Sequence, residues 1–167
     1  MEATKKSKTK KVSENISYKE ATFSQTAKKL KIKNVPTDAH LKNMRLVADK
    51  VFQPLREWAD HPIRINSMYR SPDLCEAIRS SRASQHTKGQ AIDLTTLGEK
   101  TNGELFEYIK ENLDFDQMIW EFGNDENPKW IHVSYVSKKA NRNRTLRARH
   151  KGSQVTYFVM WWVMKLG

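Results

Sequence analysis

Two short segments of the chain carry histidine and aspartate in a pattern that could hold a metal ion. His86 lies in a polar loop that leads into an apolar segment, and Asp93 follows seven residues later. Successive residues of a strand point to opposite faces, so Asp93 shares a face with Ala91 and lies opposite Ile92 and Leu94. The small Ala91 leaves open space beside the carboxylate.

His132 stands in a second segment of the same kind. In residues 130–135, His132 shares one strand face with Trp130 and Ser134, and the residues between them are apolar or aromatic. Two imidazoles and one carboxylate suit zinc and leave a fourth position for water, as in catalytic zinc sites. Zinc makes such a water acidic and polarises a carbonyl, which is the chemistry of amide hydrolysis. The alternative is that these side chains are only solvated or hydrogen-bonded at strand edges.

The elements that would position these residues can be read from apolar periodicity. Apolar residues recur every three or four positions from Leu41 to Trp58, and this predicts one long helix that begins at the cap Thr37 and ends before Pro62. Asn102 is expected to cap another helix. Strands are predicted at 63–68, 91–94, 117–122 and 130–136. Together these elements indicate an α+β domain with a small antiparallel sheet packed with helices.

These motifs, taken in order, resemble a known family. The pattern S-x-H-x-x-G-x-A-x-D at 84–93 and the segments 67–72, 115–122 and 130–135 are similar to those of the zinc D-Ala-D-Ala carboxypeptidase and L-Ala-D-Glu peptidase family. Its members are peptidoglycan metallopeptidases that share a core with lysostaphin-type enzymes and the hedgehog domain. The helix containing 54–56 resembles the phage and prophage branch. The resemblance covers roughly 22–157 and implies the hedgehog-like α+β fold.

The resemblance also implies roles for individual residues. One zinc ion would be bound by His86, Asp93 and His132. Arg70 would hold the substrate carbonyl or carboxylate, because a fixed guanidinium stabilises the negative charge that develops there. Ser84 and Gln85 would shape the substrate cleft, or else only satisfy the loop backbone.

One departure from the family pattern concerns the general base. Members commonly carry an acidic residue three positions before the last histidine ligand, where this chain has Lys129. A protonated lysine cannot accept a proton from water. Glu121 on the preceding strand is the favoured replacement, and Asp125 or Glu126 could instead fold in from the loop. Otherwise the chain keeps the fold and the metal but has lost most of its activity.

The positive charge is concentrated at the two ends of the chain. The 167 residues carry a formal charge of +11, of which residues 1–33 contribute +7, residues 137–167 contribute +8 and residues 34–136 contribute −4. A nucleic-acid partner would be supported by this charge alone and is not favoured. The basic ends could instead attract anionic cell-wall polymers.

The ends also set the expected domain boundaries. Residues 1–21 are predicted to be a basic flexible arm, 22–157 the peptidase-like zinc domain, and 158–167 an apolar end that forms a terminal strand. Residues 142–151 fit an edge strand with outward arginines. The single cysteine, Cys75, excludes an intramolecular disulfide.

The composition further limits where the protein would act. We see no signal peptide and no apolar stretch long enough to span a membrane, so we expect synthesis in the cytoplasm. The function expected from the resemblance is zinc-dependent cleavage of peptidoglycan stem peptides, as an endolysin or cell-wall remodelling enzyme acting at the wall or as a phage component. The alternative is a catalytically weakened zinc-binding homologue that binds cell wall or serves as a phage structural protein.

Overall fold

The computed structural model describes residues 11–160, and within them the main feature is a six-stranded mixed sheet. The strands are β1 Lys11–Ser13, β2 Ile16–Ser17, β3 Ile63–Ser67, β4 Ala91–Thr96, β5 Gln117–Glu121, β6 Trp130–Ser134, β7 Arg144–Lys151 and β8 Gln154–Val159. The helices are α1 Tyr18–Thr22, α2 Gln25–Leu30, α3 Asp38–Val47, α4 Gln53–Ala59, α5 Pro72–Ala77 and α6 Asn102–Asn112. The predicted α+β class is confirmed.

The large sheet has the order β3-β4-β6-β5-β7-β8. Its first four strands pair antiparallel, β5 and β7 pair in parallel, and β8 returns antiparallel to β7. β1 and β2 form a separate two-stranded sheet. The prediction of an antiparallel sheet therefore holds for the part that carries the metal-ligand candidates.

The two faces of this sheet have different roles. Apolar residues of β4 and β6, including Ile92, Leu94, Ile131 and Val133, belong to the main hydrophobic core together with residues of α3, α4 and α6. Because side chains alternate along a strand, the residues between them point away from the helices. The polar residues of these strands therefore share the face that the helices leave open.

The predicted long helix forms, but with an irregular turn in its middle. α3 and α4 are joined by a π-helical turn at Ala48–Phe52, in which the N–H of Gln53 donates to the carbonyl of Ala48. Pro54 has no N–H to donate and its ring crowds the preceding turn, so a wider turn before it relieves the clash. Among the described residues, no helix has both the length and the apolar character needed to cross a membrane.

The helix predicted after Asn102 is α6, and it begins one residue earlier than predicted. Thr101 caps α6 in a capping box with Glu104, so the prediction of Asn102 as the cap is wrong. The buried Asn102 side chain instead accepts from the N–H of Thr96 at 2.8 Å and donates to the carbonyl of Pro128 at 3.0 Å. It thus links the end of β4 to the loop before β6.

The flexible-arm prediction for 1–21 is wrong for the residues that the structure describes. Val12, Ile16 and Ala21 are buried in the main core, and the carbonyl of Ala21 accepts a hydrogen bond from the N–H of Tyr69 at 3.0 Å. A few widely spaced apolar side chains suffice because each packs into a core that other elements form. Residues 1–10 lie outside the described residues.

The C-terminal strands also differ from expectation. The sequence predicts an edge strand at residues 142–151, but β8 pairs along β7 and takes the edge position. Phe158 and Val159 belong to β8, so the start of the expected terminal strand at 158–167 does form. Both side chains are exposed rather than buried. Residues 161–167 lie outside the described residues.

Candidate metal centre

The three metal-ligand candidates meet on the open face of the sheet. Asp93 on β4 is the register partner of His132 on β6, and its Oδ1 lies 2.9 Å from Nδ1 of His132 and 3.2 Å from Nε2 of His86. Nε2 of His86 lies 3.2 Å from Nδ1 of His132. All three residues are buried. Donors that bind zinc tetrahedrally at 2.0–2.1 Å are about 3.4 Å apart, so this cluster could hold the ion after small side-chain movements.

His86 is held by its local backbone. It lies in a short 3₁₀ segment, Gln85–Lys88, whose cap Ser84 accepts a hydrogen bond from the N–H of His86. The imidazole Nδ1 donates to the carbonyl of Met68 at 2.7 Å, and this bond leaves Nε2 free to face the cluster. Ser84 therefore supports the loop backbone, which was one of its two predicted roles, and it also lines the cavity described below.

Packing against α3 explains why the motif has glycine at position 89. Gly89 ends the 3₁₀ segment with φ of +68°, and a Cβ at that position would lie 2.5 Å from the carbonyl oxygen of His40. Only glycine combines this backbone conformation with such close approach to α3. The spacing between His86 and Asp93 thus depends on a turn that passes against the helix.

Arg70 lies beside the cluster and contacts Asp93 directly. Its Nη2 forms an ion pair with Oδ2 of Asp93, the oxygen that the histidines do not use, and its Nε donates to Oγ of Ser67 at 2.7 Å. The guanidinium also lines the open cavity. Arg70 therefore fixes the orientation of the candidate ligand Asp93. The sequence did not predict this contact.

Electrostatics favour the protonation states that metal binding requires. Burial lowers the pKa of His86, so the imidazole is neutral and its Nε2 lone pair is available. Burial alone would raise the pKa of Asp93, but its interactions with His86 and His132 outweigh burial and hold that pKa well below its usual range. The cluster thus pairs a carboxylate with a neutral imidazole.

Glu121 is the acid best placed to act as a base beside the cluster. It lies at the end of β5, on the same sheet face as Ile119, which is the register partner of His132. Its side chain is only 8% exposed, and burial raises its pKa to about 7. A carboxyl group with this pKa can both accept and return a proton near neutral pH.

The other candidate acids lie elsewhere. Asp125 is exposed and pairs with Arg147 at 2.6 Å and with Arg149 at 3.3 Å, and Glu126 is exposed in the same loop. Lys129 is exposed as well, and its N–H donates to the carbonyl of Glu121 at 2.9 Å. Among the described residues, neither loop acid nor Lys129 lines the cavity that contains the cluster.

The cluster opens into a cavity of about 1140 Å³ that runs across the sheet. One wall is polar and comes from the 3₁₀ segment and the loop before it. Gln85 lines this wall, and its Nε2 donates to Oδ2 of the buried Asp116 at 2.9 Å. Asp116 also receives hydrogen bonds from the main chain and the guanidinium of Arg142. The opposite wall, formed by β7 and β8, is more apolar.

The comparison with known proteins agrees with this geometry. The sequence profile of the family described as Peptidase M15 matches residues 14–134, which include the three ligand candidates, Arg70 and Glu121. The chain belongs to the M15 peptidase family. No curated protein matches the chain. Membership supports a zinc metallopeptidase that acts on peptidoglycan-like substrates, and it agrees with the family resemblance read from the sequence.

Two parts of the M15 site could not be read from the sequence. The Met68 carbonyl that orients His86 is a backbone group, so no residue type marks it. Asp116 lies directly before β5, and its partner Arg142 lies 26 residues further along the chain. Only the parallel pairing of β5 with β7 brings these two residues together.

Proposed function

We propose that this chain is a zinc-dependent peptidase that cleaves peptidoglycan stem peptides. The observation that carries the proposal is the buried cluster of His86, Asp93 and His132 in one cavity with Glu121 and Arg70. Two imidazoles and a carboxylate form a three-ligand set of the kind used by catalytic zinc sites. The bond that is cut would be of the D-Ala-D-Ala carboxypeptidase or L-Ala-D-Glu endopeptidase type.

Each residue has a role that follows from its position. His86, Asp93 and His132 would hold a zinc ion, and the ion would supply the Lewis acidity that polarises the substrate carbonyl and lowers the pKa of water. Glu121 takes the proton from the attacking water and returns it to the leaving amine, because its pKa of about 7 suits both transfers. Arg70 holds Asp93 in place, and its guanidinium faces the cavity where negative charge develops.

The shape of the cavity supports a substrate that extends in two directions. Its lining runs from Arg79 and Lys88 on one side of the cluster to Val155 and Tyr157 on the other. A peptide with residues on both sides of the cut bond fits such a groove, which supports the endopeptidase type. Action at the cell wall, as an endolysin, a remodelling enzyme or a phage component, follows from this substrate class. Attraction of anionic wall polymers to the basic ends belongs to the same proposal.

A second candidate function rests on Lys129. This residue occupies the position where related peptidases commonly carry the base, and its side chain is exposed. A chain in which Glu121 does not replace that base would be a weakened homologue that binds the wall or serves as a phage structural protein. Zinc binding is common to both functions, and only peptide cleavage separates them.

The deciding experiment measures zinc content and digestion of purified peptidoglycan in the same preparation. We expect one zinc ion per chain and the release of cleaved stem peptides, detected by mass spectrometry. Replacement of His132 by Ala should abolish both. His61→Ala is the matched control and should change neither, because the half-buried His61 does not line the cavity. Bound zinc without any cleavage would favour the second function, and absence of zinc in the wild-type protein would contradict both.

A further inference from the structure

The hairpin of β7 and β8 extends the metal-bearing face beyond the part of the chain that matches the family. The match ends at residue 134, whereas the hairpin begins at Arg144. β7 pairs in parallel with β5 and so continues the sheet beside Glu121. The hairpin therefore adds a section of cavity wall that family membership does not describe.

Tyr157 is the residue of this hairpin that faces the site. Across neighbouring strands, Glu121 is the register partner of Ala148, and Ala148 is the register partner of Tyr157. Residues paired in this way have side chains on the same sheet face, about 4.8 Å apart from strand to strand. Between Glu121 and Tyr157 stands only the small side chain of Ala148. Tyr157 and Glu121 both line the cavity.

The phenol is available to a ligand. Tyr157 is 56% exposed, and among residues 11–160 its hydroxyl has no hydrogen-bond partner. Burial of the ring, followed by the negative charges of Glu121 and Asp93, raises the pKa of Tyr157. The hydroxyl therefore stays protonated in the pH range in which a peptidase works, and it can donate a hydrogen bond.

The surroundings of Tyr157 suit a peptide. The floor between the cluster and the hairpin is formed by the buried Ile119, Leu146 and Ala148, and Val155 lines the cavity beside Tyr157. Such a surface contacts the apolar atoms of an extended substrate, and the hydroxyl supplies the polar contact that its main chain needs.

We propose that Tyr157 is a substrate-binding residue, which donates a hydrogen bond from its hydroxyl to a main-chain carbonyl of the stem peptide on the hairpin side of Glu121. This inference rests on the proposed function, because it takes the stem peptide as the ligand. The β7–β8 hairpin then helps to select substrates that are long enough to reach from the metal cluster to β8.

The strand itself provides a matched control. Phe158 follows Tyr157 in β8, is 53% exposed and pairs with Arg147 on the opposite face of the sheet. Loss of a large exposed aromatic side chain from β8 is therefore the same in Tyr157→Ala and Phe158→Ala. Only the first change removes a group from the cavity.

The test measures binding of a fluorescently labelled stem pentapeptide to the zinc-loaded protein by anisotropy, in a Glu121→Gln background, with the integrity of the peptide checked by mass spectrometry. We expect Tyr157→Phe to weaken binding about threefold to tenfold, the usual value of one hydrogen bond. Tyr157→Ala should weaken it further, and Phe158→Ala should leave it unchanged. A dipeptide, which is too short to span the groove, should bind all four proteins equally.

Equal pentapeptide binding by Tyr157→Ala and Phe158→Ala would overturn the inference, and so would a complete lack of pentapeptide binding. The proposed function is judged separately, by cleavage in the protein that retains Glu121. A protein that binds the pentapeptide through Tyr157 but does not cleave it would uphold the inference and contradict the proposed activity.

Discussion

At the scale of single residues, Asp93 connects the metal cluster to the rest of the site. Its Oδ1 faces both histidines, while its Oδ2 is held by Arg70. A carboxylate shared in this way cannot rotate without losing the guanidinium. The ligand geometry is therefore fixed by a residue that does not itself belong to the donor set.

Burial also sets the protonation state of Glu121, and this effect can be tested without any substrate. Because burial raises its pKa from 4.5 to about 7, the folded protein holds a proton on Glu121 that the unfolded chain releases between these pH values. Stability that depends on Glu121 is therefore present at low pH and is lost as the pH rises through about 7.

We predict that Glu121→Gln removes this loss of stability at high pH. In metal-free protein, the variant and the wild type should have similar free energies of unfolding near pH 5, and at pH 8 the variant should be more stable by about 3 kcal/mol at most. Urea denaturation at the two pH values measures the difference. Burial lowers the pKa of His86, so this residue changes the free energy of unfolding with pH in the opposite direction. Both proteins contain His86, so its contribution cancels in the comparison. A difference that does not change with pH would contradict the buried position of Glu121.

At the scale of elements, period-two patterns could be predicted from the sequence and long-range pairings could not. The faces of β4 and β6 follow from alternation alone, and the structure places Ile92 and Ile131 in the core as expected. The segment 11–21 lacks a period, because its buried residues belong to two short strands and one turn of helix. The π turn before Pro54 changes no apolar position and so leaves the helical pattern intact.

The buried Asp116 links the 3₁₀ segment to the residues before β7. Asp116 is buried and accepts hydrogen bonds from Gln85 at 2.9 Å and from Nε of Arg142 at 2.9 Å. It thereby joins the neighbour of His86 to the residues that lead into the hairpin. Removal of its carboxylate leaves a guanidinium and an amide without their acceptor.

We predict that Asp116→Ala lowers the free energy of unfolding by about 2 kcal/mol, because it removes a buried carboxylate that accepts hydrogen bonds from Gln85 and from the half-exposed Arg142. Asp114→Ala is the matched control, because Asp114 is exposed two residues earlier, and the expected change there is within about 0.5 kcal/mol. Urea denaturation in the presence of EDTA measures both. Equal effects of the two substitutions would show that the Asp116 network does not stabilise the fold.

At the scale of the whole molecule, the basic C-terminal part is bound to the acidic central part. Arg142 pairs with Asp116, and Arg147 and Arg149 pair with Asp125. Part of the charge that could attract an anionic wall is therefore used within the fold. The sequence showed where the charges lie along the chain, but the parallel pairing of β5 and β7 decides which of them meet.

One open sheet face carries both the cluster of metal-ligand candidates and Glu121, while Lys129 occupies the position where the family commonly carries its base. The two strands β5 and β6 bring Glu121 to that face, and the loop acids remain outside it. Catalysis would thus depend on a carboxylate from a different strand than the family pattern predicts.

Turnover of a stem peptide by zinc-loaded wild-type and Glu121→Gln proteins is the most direct test of this claim. We predict that the wild type cleaves the peptide, and that the variant binds the same amount of zinc but is slower by about 10²–10⁴-fold, the usual contribution of a general base. Glu126→Gln, which changes an exposed loop acid, should cleave at the wild-type rate. Undiminished turnover by Glu121→Gln would contradict the role of Glu121 as the general base.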